Sequence, residues 1–259
     1  MRRKWMLWAL VACSACFASV PLMQKERPVI VELPEQVAVK ASVVEHVRDL
    51  VQDNTAVMKQ LHSFFQEVQQ GVEIGTLSQE DADHIYQATL FAAQRHKDHM
   101  RKNAEHTPYI VHPLGVAEQI MRIGHAYDAD VLIAALLHDV IENTNTTYAE
   151  IESVFGKDVT HYVKEMTEDQ NLPIKMRKKL QIIHAFHQSA GATLIKLSDK
   201  LHNLHTLVTD PPMGWSQDKM DQYFQWAQAV VDNLPEANVS LKDAVHHEIA
   251  AYWEMQAKS

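Results

Sequence analysis

The chain has little glycine and almost no cysteine. Only seven of its 259 residues are glycine, and none of these completes a GxGxxG or GxxxxGK[ST] motif. The absence of both motifs excludes the phosphate-binding loops of Rossmann and P-loop nucleotide-binding folds. The two cysteines, Cys13 and Cys16, both lie near the N-terminus. The rest of the chain can therefore form no disulfide and offers no thiolate to a metal.

An excess of positive charge is also missing. The formal net charge is −9, which disfavours non-specific binding to nucleic acid, and we expect no nucleic-acid partner. An anionic substrate would need a local cluster of lysine and arginine. What the chain does have is a hydrophobic fraction of 46% and sixteen histidines. That composition suits one or two folded domains rather than a disordered chain, and histidine is a common metal ligand.

The first 23 residues have the composition of a targeting segment. A basic stretch at 1–4 precedes an apolar stretch at 5–12, a pattern typical of a secretory signal peptide or a membrane anchor. The segment 10–13 also resembles a bacterial lipobox, cleavage after Ala18 would leave a soluble product, and translation could instead begin at Met23. We expect a membrane-anchored or exported protein, with a cytoplasmic location as the alternative.

Residues 24–77 are expected to form a linker and an amphipathic helix. Two prolines and no clear helical period mark the linker, which extends to Val39. Hydrophobic residues then recur at spacings of three, four and seven from Val44 to Val68. This pattern predicts one helix, or two helices broken near residues 53–54. The segment contains no candidate catalytic or ligand-binding residues. The pattern leaves open whether the segment packs on the main domain or forms a stalk.

Residues 78–257 are expected to be helical throughout. Ser78 with Asp81 predicts an N-terminal capping box, and Ser240 with Asp243 predicts the start of the last helix. The strongly apolar stretch 128–142 predicts one continuous buried helix. No stretch shows the alternation and hairpin turns of β-strands. We therefore expect an all-α bundle of roughly eight to ten helices.

The apolar stretch ends in three ionisable residues, His138, Asp139 and Glu142. Burial of such groups is costly unless they are paired or bound to a metal. In a continuous helix these three residues would share one edge, because they are three and four positions apart. The histidine and aspartate could then hold a divalent cation, with Glu142 one turn further on as an acid–base group.

A second polar cluster lies in the segment 194–204. Its leucines form a core-facing stripe, which leaves Asp199 and Asn203 on the other edge. Asp199 is a candidate third ligand, and His112, held rigidly before Pro113, could supply a fourth. Two imidazoles and two carboxylates suit Mn²⁺ or a similar divalent ion, with open positions for water and substrate.

These residues resemble the H…HD…D signature of the HD phosphohydrolases. The segments 107–113 (TPYIVHP), 134–142 (AALLHDVIE) and 195–203 (IKLSDKLHN) are similar to the hydrolase domain of the RelA/SpoT alarmone enzymes. The segment 214–226 is similar to the small stand-alone members, the metazoan SpoT homologues. The resemblance extends over residues 83–254, and its several motifs in one register make it specific.

The resemblance implies an HD-domain helical bundle, here spanning residues 78–257. It also implies a guanosine-3′,5′-bis(diphosphate) 3′-pyrophosphohydrolase that removes the 3′ diphosphate of (p)ppGpp with one Mn²⁺. The implied metal ligands are His112, His138, Asp139 and Asp199. The implied substrate-binding residues are Arg101, Lys102, Asn203 and Tyr223. A nucleotide such as ppGpp is the implied partner, and the oligomeric state is left open.

The catalytic pair departs from the family pattern. Glu142 matches its first residue, but Asn143 stands where the family has aspartate, and an amide cannot act as a base. Either Glu142 alone sustains hydrolysis, or the protein is a weakened homologue that binds a nucleotide without turnover. An NADPH 2′-phosphatase or another nucleotide phosphohydrolase is the remaining alternative.

Other charged residues are expected to have supporting roles or none. The lysines and the arginine between 175 and 200 could add positive field, but we expect most of them, Lys196 and Lys200 included, to be solvated surface charges. His96, which borders the basic loop 97–107, is expected to be exposed. His202 is expected to pack beside the metal site or to support it.

Overall fold

The computed structural model describes residues 39–258, and helices account for every regular element of this range. The helices are α1 (Val39–Leu50), α2 (Thr55–Glu73), α3 (Gln79–Arg95), α4 (Val111–Arg122), α5 (Ala129–Leu137), α6 (Val140–Asn143), α7 (Tyr148–Met166), α8 (Ile174–His184), a 3-10 helix (Ala185–His187), α9 (Ala190–Thr209), α10 (Gln217–Asp232) and α11 (Val239–Gln256). The prediction of an all-α bundle is confirmed. The predicted signal or anchor and most of the predicted linker lie outside the described residues.

Local sequence signals account for several helix boundaries. Ser78 and Asp81 form the predicted capping box, in which each side chain bonds the other residue's backbone N–H. The glycine at 156 has a φ of +89° and interrupts α7, as expected where Cβ would hinder that conformation. The predicted Ser240 cap is wrong. Asn238 caps α11, because its side-chain oxygen accepts a hydrogen bond from the Leu241 N–H. Its side-chain nitrogen also donates to the backbone carbonyl of Gly124, just after the end of α4.

Residues 39–77 form two helices rather than one. Gln52 and Asp53 adopt left-handed conformations between them, and Asn54 caps α2 by accepting from the Val57 N–H. This break agrees with the prediction at residues 53–54. Both helices pack on the rest of the bundle, α1 against α3 and α2 against α4. In that shared core the ring of Phe65 lies 4.5 Å from the ring of Tyr86.

Replacing Phe65 by alanine is expected to lower the free energy of unfolding by about 3–5 kcal/mol. The side chain is 1% exposed, so its removal leaves a cavity between α2 and α3. Denaturant unfolding measures the change. Phe186→Ala is the matched control, since that ring is exposed. Equal effects for the two variants would contradict the packing of α2 described above.

Three mutually packed helices, α4, α5 and α9, form the part of the bundle that positions the candidate site. The prediction of one continuous helix over 128–142 is wrong, because α5 ends at Leu137 and α6 begins at Val140. The His138 ring bonds the Ala135 carbonyl at 2.7 Å and so competes for an acceptor of the helix ladder. None of the helices among residues 39–258 is long and apolar enough to span a bilayer.

Candidate functional site

Two imidazoles and one carboxylate converge where α4, α5 and α9 meet. His112 lies in the first turn of α4, His138 directly follows α5, and Asp199 lies in the middle of α9. One ligand atom from each lies within 4.8 Å of the others. The Asp199 Oδ1 atom is 3.3 Å from His112 Nε2 and 3.9 Å from His138 Nε2. Residues distant in sequence therefore present ligand atoms to one point.

Asp139 brings a second carboxylate to the same point. Its Oδ2 atom lies 3.1 Å from His138 Nε2 and 3.7 Å from His112 Nε2. The Tyr109 hydroxyl donates to the same oxygen at 2.5 Å, which fixes the orientation of the carboxylate. The structure therefore brings together all four of the metal ligands predicted from the sequence.

The His138 ring provides an independent test of whether a cation fits. Its Nδ1 lies 2.7 Å from the Ala135 carbonyl, which can only accept, so Nδ1 donates there and Nε2 is the ring nitrogen that faces the cluster. Nε2 is buried, and the groups beside it are the carboxylate oxygens of Asp139 and Asp199. Buried carboxylates around a ring nitrogen are stabilised by a cation at that point, either a proton on Nε2 or a metal ion bound to it. The donor set of two imidazoles and two carboxylates therefore fits a divalent metal ion.

Further contacts orient these ligands from outside. His112 Nδ1 lies 3.0 Å from His202 Nδ1, a bond that leaves Nε2 of His112 facing the carboxylates. The His202 ring fits only because residue 115 is glycine, where a Cβ would come within 2.3 Å of it. Asp199 accepts hydrogen bonds from Asn203 at 2.7 Å and from Lys200 at 2.9 Å. Such outer contacts set ring tautomer and carboxylate orientation in metal sites.

The electrostatics of the cluster favour positive charge at its centre. Burial lowers the pKa of His112. Burial acts in the same direction on His138, but the carboxylates of Asp139 and Asp199 outweigh it and raise the pKa of His138 to about 9. Burial alone would raise the pKa of Asp199, yet the Lys200 ammonium holds it well below its usual range. A field that favours a proton on His138 also favours a divalent cation.

A cavity of about 790 Å³ adjoins the cluster. Its lining includes Arg101, Lys102, Tyr109, Asn143, Asn203 and Tyr223. Two of these residues connect the cavity to the cluster, since Tyr109 bonds Asp139 and Asn203 bonds Asp199. The volume lies within the range of small-molecule and cofactor sites. All four residues predicted to bind substrate therefore line one cavity beside the candidate metal ligands.

The loop that carries the basic pair is held in place by its own backbone and by a buried amide. The backbone N–H of Arg101 donates to the Thr107 carbonyl at 2.8 Å. The Asn103 side chain, 4% exposed, donates to the Thr107 hydroxyl and to the Asp210 carboxylate. The Arg101 guanidinium in turn donates to Asn203 at 3.2 Å. These contacts place a guanidinium at the cavity wall on the side of the ligand cluster.

The two predicted catalytic positions face different surroundings. Asn143 is exposed and lines the cavity. Glu142 is half-buried, and its carboxylate accepts from the Glu168 backbone N–H at 2.6 Å. Burial raises the pKa of Glu142, with a further contribution from Asp139, although the Glu168 N–H opposes the rise. Of these two residues, the one that lines the cavity is therefore Asn143, which carries a neutral amide, and not the ionisable Glu142.

Two lysines of α9 are buried, contrary to the expectation that they are solvated. Lys200 is 3% exposed, pairs with Asp199 and lies 4.4 Å from the centre of the Trp226 ring. Lys196 is 5% exposed, and burial together with Lys200 lowers its pKa to about 8. Their positions on either side of Asp199 in the sequence could have indicated that they lie near the candidate metal ligands. The helical pattern alone could not show that α10 covers this edge of α9.

The expectation that His96 is exposed is also wrong. The side chain is 2% exposed, and its ring lies 4.8 Å from the ring of Tyr109. Its Nδ1 atom lies 3.1 Å from His99 Nδ1, and burial lowers its pKa to about 4. His96 therefore packs against the tyrosine that orients Asp139. No periodicity in the sequence distinguishes it from the exposed histidines.

Comparison with known proteins agrees with these motifs. Residues 88–227 match the family model described as "HD domain". The guanosine-3′,5′-bis(diphosphate) 3′-pyrophosphohydrolase MESH1 of Xenopus tropicalis is 50% identical over 167 residues, which are 64% of this chain and 93% of that protein. The human protein of the same name is 45% identical over the same shares.

A solved structure is similar to this one as well. It is described as a metazoan ortholog of SpoT that hydrolyzes ppGpp and plays a role in starvation responses. The two chains superimpose with a TM-score of 0.64 at 40% sequence identity, over 65% of this chain and 95% of the other. The matched HD region begins at residue 88, after α1 and α2. The chain therefore belongs to the HD-domain family and is a relative of the small stand-alone SpoT homologues, as its motifs predicted.

Proposed function

We propose that this protein is a metal-dependent guanosine-3′,5′-bis(diphosphate) 3′-pyrophosphohydrolase, which removes the 3′ diphosphate of (p)ppGpp. The observation that carries the proposal is the convergence of His112, His138, Asp139 and Asp199 beside a cavity lined by a basic pair. The names of the relatives support the substrate. This function requires the chain to hold a cation, bind the nucleotide and move a proton.

The four converging residues would hold one divalent cation, and we propose Mn²⁺. Neutral imidazole nitrogens and carboxylate oxygens are suitable donors for this ion. A cation bound there supplies Lewis-acid chemistry, because it stabilises negative charge on phosphoryl oxygens and makes water a better nucleophile at neutral pH. The Tyr109 hydroxyl and the Lys200 ammonium keep the two carboxylates oriented toward this point.

The cavity wall would bind and orient the nucleotide. The Arg101 guanidinium offers a planar surface for the base and N–H donors for phosphate, and Lys102 adds positive charge at the exposed rim. Burial raises the pKa of Tyr223 to about 12, so its hydroxyl stays protonated and can donate. Asn203 would position the substrate relative to Asp199, which it already contacts.

Glu142 would handle the proton of the attacking water or of the leaving group. Its raised pKa brings its titration toward the working range of a general acid–base group. One of its oxygens is held by the Glu168 N–H, which restricts the orientation of the carboxylate. The Asn143 amide can donate and accept hydrogen bonds in the cavity, but it does not take a proton at neutral pH.

Replacing Asn143 by aspartate is expected to raise kcat, by up to about a hundredfold. The change places a carboxylate at the cavity wall with almost no change in shape. Steady-state release of pyrophosphate from ppGpp measures the effect. Asn145→Asp, at an exposed position two residues away, is the matched control. An unchanged kcat in Asn143→Asp would mean that Glu142 alone supplies the acid–base chemistry.

A substrate panel tests the proposed function. The full chain is incubated with Mn²⁺ and, separately, with ppGpp, pppGpp, NADPH and simple nucleotides, and released pyrophosphate and phosphate are measured. Pyrophosphate released from ppGpp supports the proposal. Phosphate released only from NADPH supports the 2′-phosphatase alternative. Tight binding of one nucleotide without any turnover supports the alternative of a weakened, nucleotide-binding homologue and overturns the assignment of this protein as an enzyme.

For location, we propose that the N-terminus attaches the protein to a membrane with the HD domain on the cytoplasmic side. The basic and apolar stretches within residues 1–23 support attachment. The proposed nucleotide substrate supports the cytoplasmic side. Fractionation of cells that express the full chain tests this proposal, with recovery in the soluble cytoplasmic fraction as the contrary result.

A further inference from the structure

Helix α8 and the 3-10 helix after it expose an unusual number of large hydrophobic side chains. Ile174, Met176, Ile183 and Phe186 all lie within this short stretch. Ile183 is 54% exposed and Phe186 is 71% exposed. Single exposed hydrophobic residues are ordinary, but several on one element indicate a contact surface.

Three of these hydrophobic side chains form a stripe together with Lys179. Met176, Lys179, Ile183 and Phe186 follow one another at intervals of three, four and three residues, so they share one side of the helix. The other side faces the bundle, where the Trp226 indole N–H donates to the Lys178 carbonyl at 3.0 Å. We refer to these four residues as the α8 stripe.

Positive charge accompanies the α8 stripe. No aspartate or glutamate occurs between Asp169 and Asp199, although the whole chain has a net charge of −9. Lys175 and Lys179 are exposed beside or within the stripe. Exposed aliphatic and aromatic side chains flanked by lysines are typical of helices that lie in the headgroup region of a membrane. Basic clusters add attraction to anionic lipids.

We propose that the α8 stripe docks on an anionic lipid bilayer, with Ile183 and Phe186 inserted among the headgroups and Lys175 and Lys179 beside the lipid phosphates. If the N-terminus attaches to a membrane as proposed above, its basic and apolar segment 1–12 is a second element with affinity for the same surface. Stable attachment generally takes two such signals, because a single weak anchor binds reversibly. Once the N-terminus is bound, the α8 stripe acts at a raised effective concentration.

Vesicle binding by the full chain tests this docking. Flotation with phosphatidylglycerol–phosphatidylcholine vesicles is compared for the unmodified chain, Ile183→Glu/Phe186→Glu and Lys175→Glu/Lys179→Glu. The matched control is Val154→Glu/Val239→Glu, which removes two exposed valines elsewhere. We expect at least a tenfold loss of affinity in both α8 variants, unchanged binding in the control, and unchanged ppGpp hydrolysis without vesicles in Ile183→Glu/Phe186→Glu.

Hydrogen exchange separates the α8 stripe from the N-terminal segment. Anionic vesicles are expected to slow exchange of the amides at 174–187 in the full chain. Equal binding by all variants, or exchange at 174–187 that vesicles do not slow, would overturn the proposal. So would equal affinity for pure phosphatidylcholine vesicles. A dimer seen by light scattering without lipid, and lost in Ile183→Glu/Phe186→Glu, would assign the stripe to self-association instead. The vesicle-binding, hydrogen-exchange and light-scattering results do not depend on hydrolase activity.

Discussion

The substitution His138→Asn is expected to lower kcat/KM for ppGpp by more than about a hundredfold. Loss of groups outside a metal's direct ligands already costs roughly 10–100-fold in affinity or activity, and His138 would be a direct ligand. The asparagine amide lacks the imidazole Nε2 that faces Asp139 and Asp199. Mn²⁺ titration by calorimetry and steady-state kinetics measure the two consequences.

Metal-linked stability gives a readout that does not depend on turnover. Mn²⁺ at a hundred times its Kd is expected to stabilise the unmodified protein by about 2.7 kcal/mol, and to stabilise His138→Asn far less. His161→Asn is the matched control, because His161 is an exposed histidine that pairs with Glu165 on its own helix. Equal stabilisation of the protein and of His138→Asn by Mn²⁺ would contradict the assignment of His138 as a ligand.

Replacing Glu142 by glutamine is expected to lower kcat by about 10²–10⁴-fold, the range typical of a general acid–base group. Glutamine can still accept the hydrogen bond from the Glu168 N–H, so local structure is retained, but it cannot carry the proton. Because this residue is not expected to hold the cation, Mn²⁺ affinity should change little. Single-turnover kinetics with saturating ppGpp measure the rate of the hydrolysis step separately from product release.

Variants at Glu152 and Asn143 make the prediction for Glu142 specific. Glu152→Gln is the control, since Glu152 is an exposed carboxylate on α7. A full rate in Glu142→Gln, with loss of activity in Asn143→Ala, would transfer the decisive role to the Asn143 amide. Recovery of the rate in Glu142→Gln/Asn143→Asp would show that a carboxylate at either position suffices.

The motifs predicted which residues would form the site, but not all of their surroundings. His112 and His138 stood out among sixteen histidines because each has an informative neighbour, Pro113 or Asp139. The structure places both at one point with Asp199. The assignment of these residues as metal ligands stays a prediction until metal binding is measured. The same holds for Glu142 and for the substrate-binding residues.

The errors at Lys196 and Lys200 arose because helical periodicity shows which residues share a face of a helix but not which neighbouring element covers that face. Lys196 and Lys200 lie on a polar edge of α9, yet both are buried. The break at His138 was likewise hidden, because its apolar flanks continue the helical pattern on both sides. There a side-chain bond to the Ala135 carbonyl competes with the helix ladder.

The sequence by itself determined the helical fold and most of the helix starts, and it predicted the candidate ligand set, because caps, periodicity and ordered motifs are local properties. Only the tertiary structure decided which polar groups are buried together. The Nε2 atom of His138 is buried among carboxylate oxygens because α4, α5 and α9 close around it. The exposure of Ile183 and Phe186 is equally a tertiary result, since it depends on which face of α8 the bundle covers.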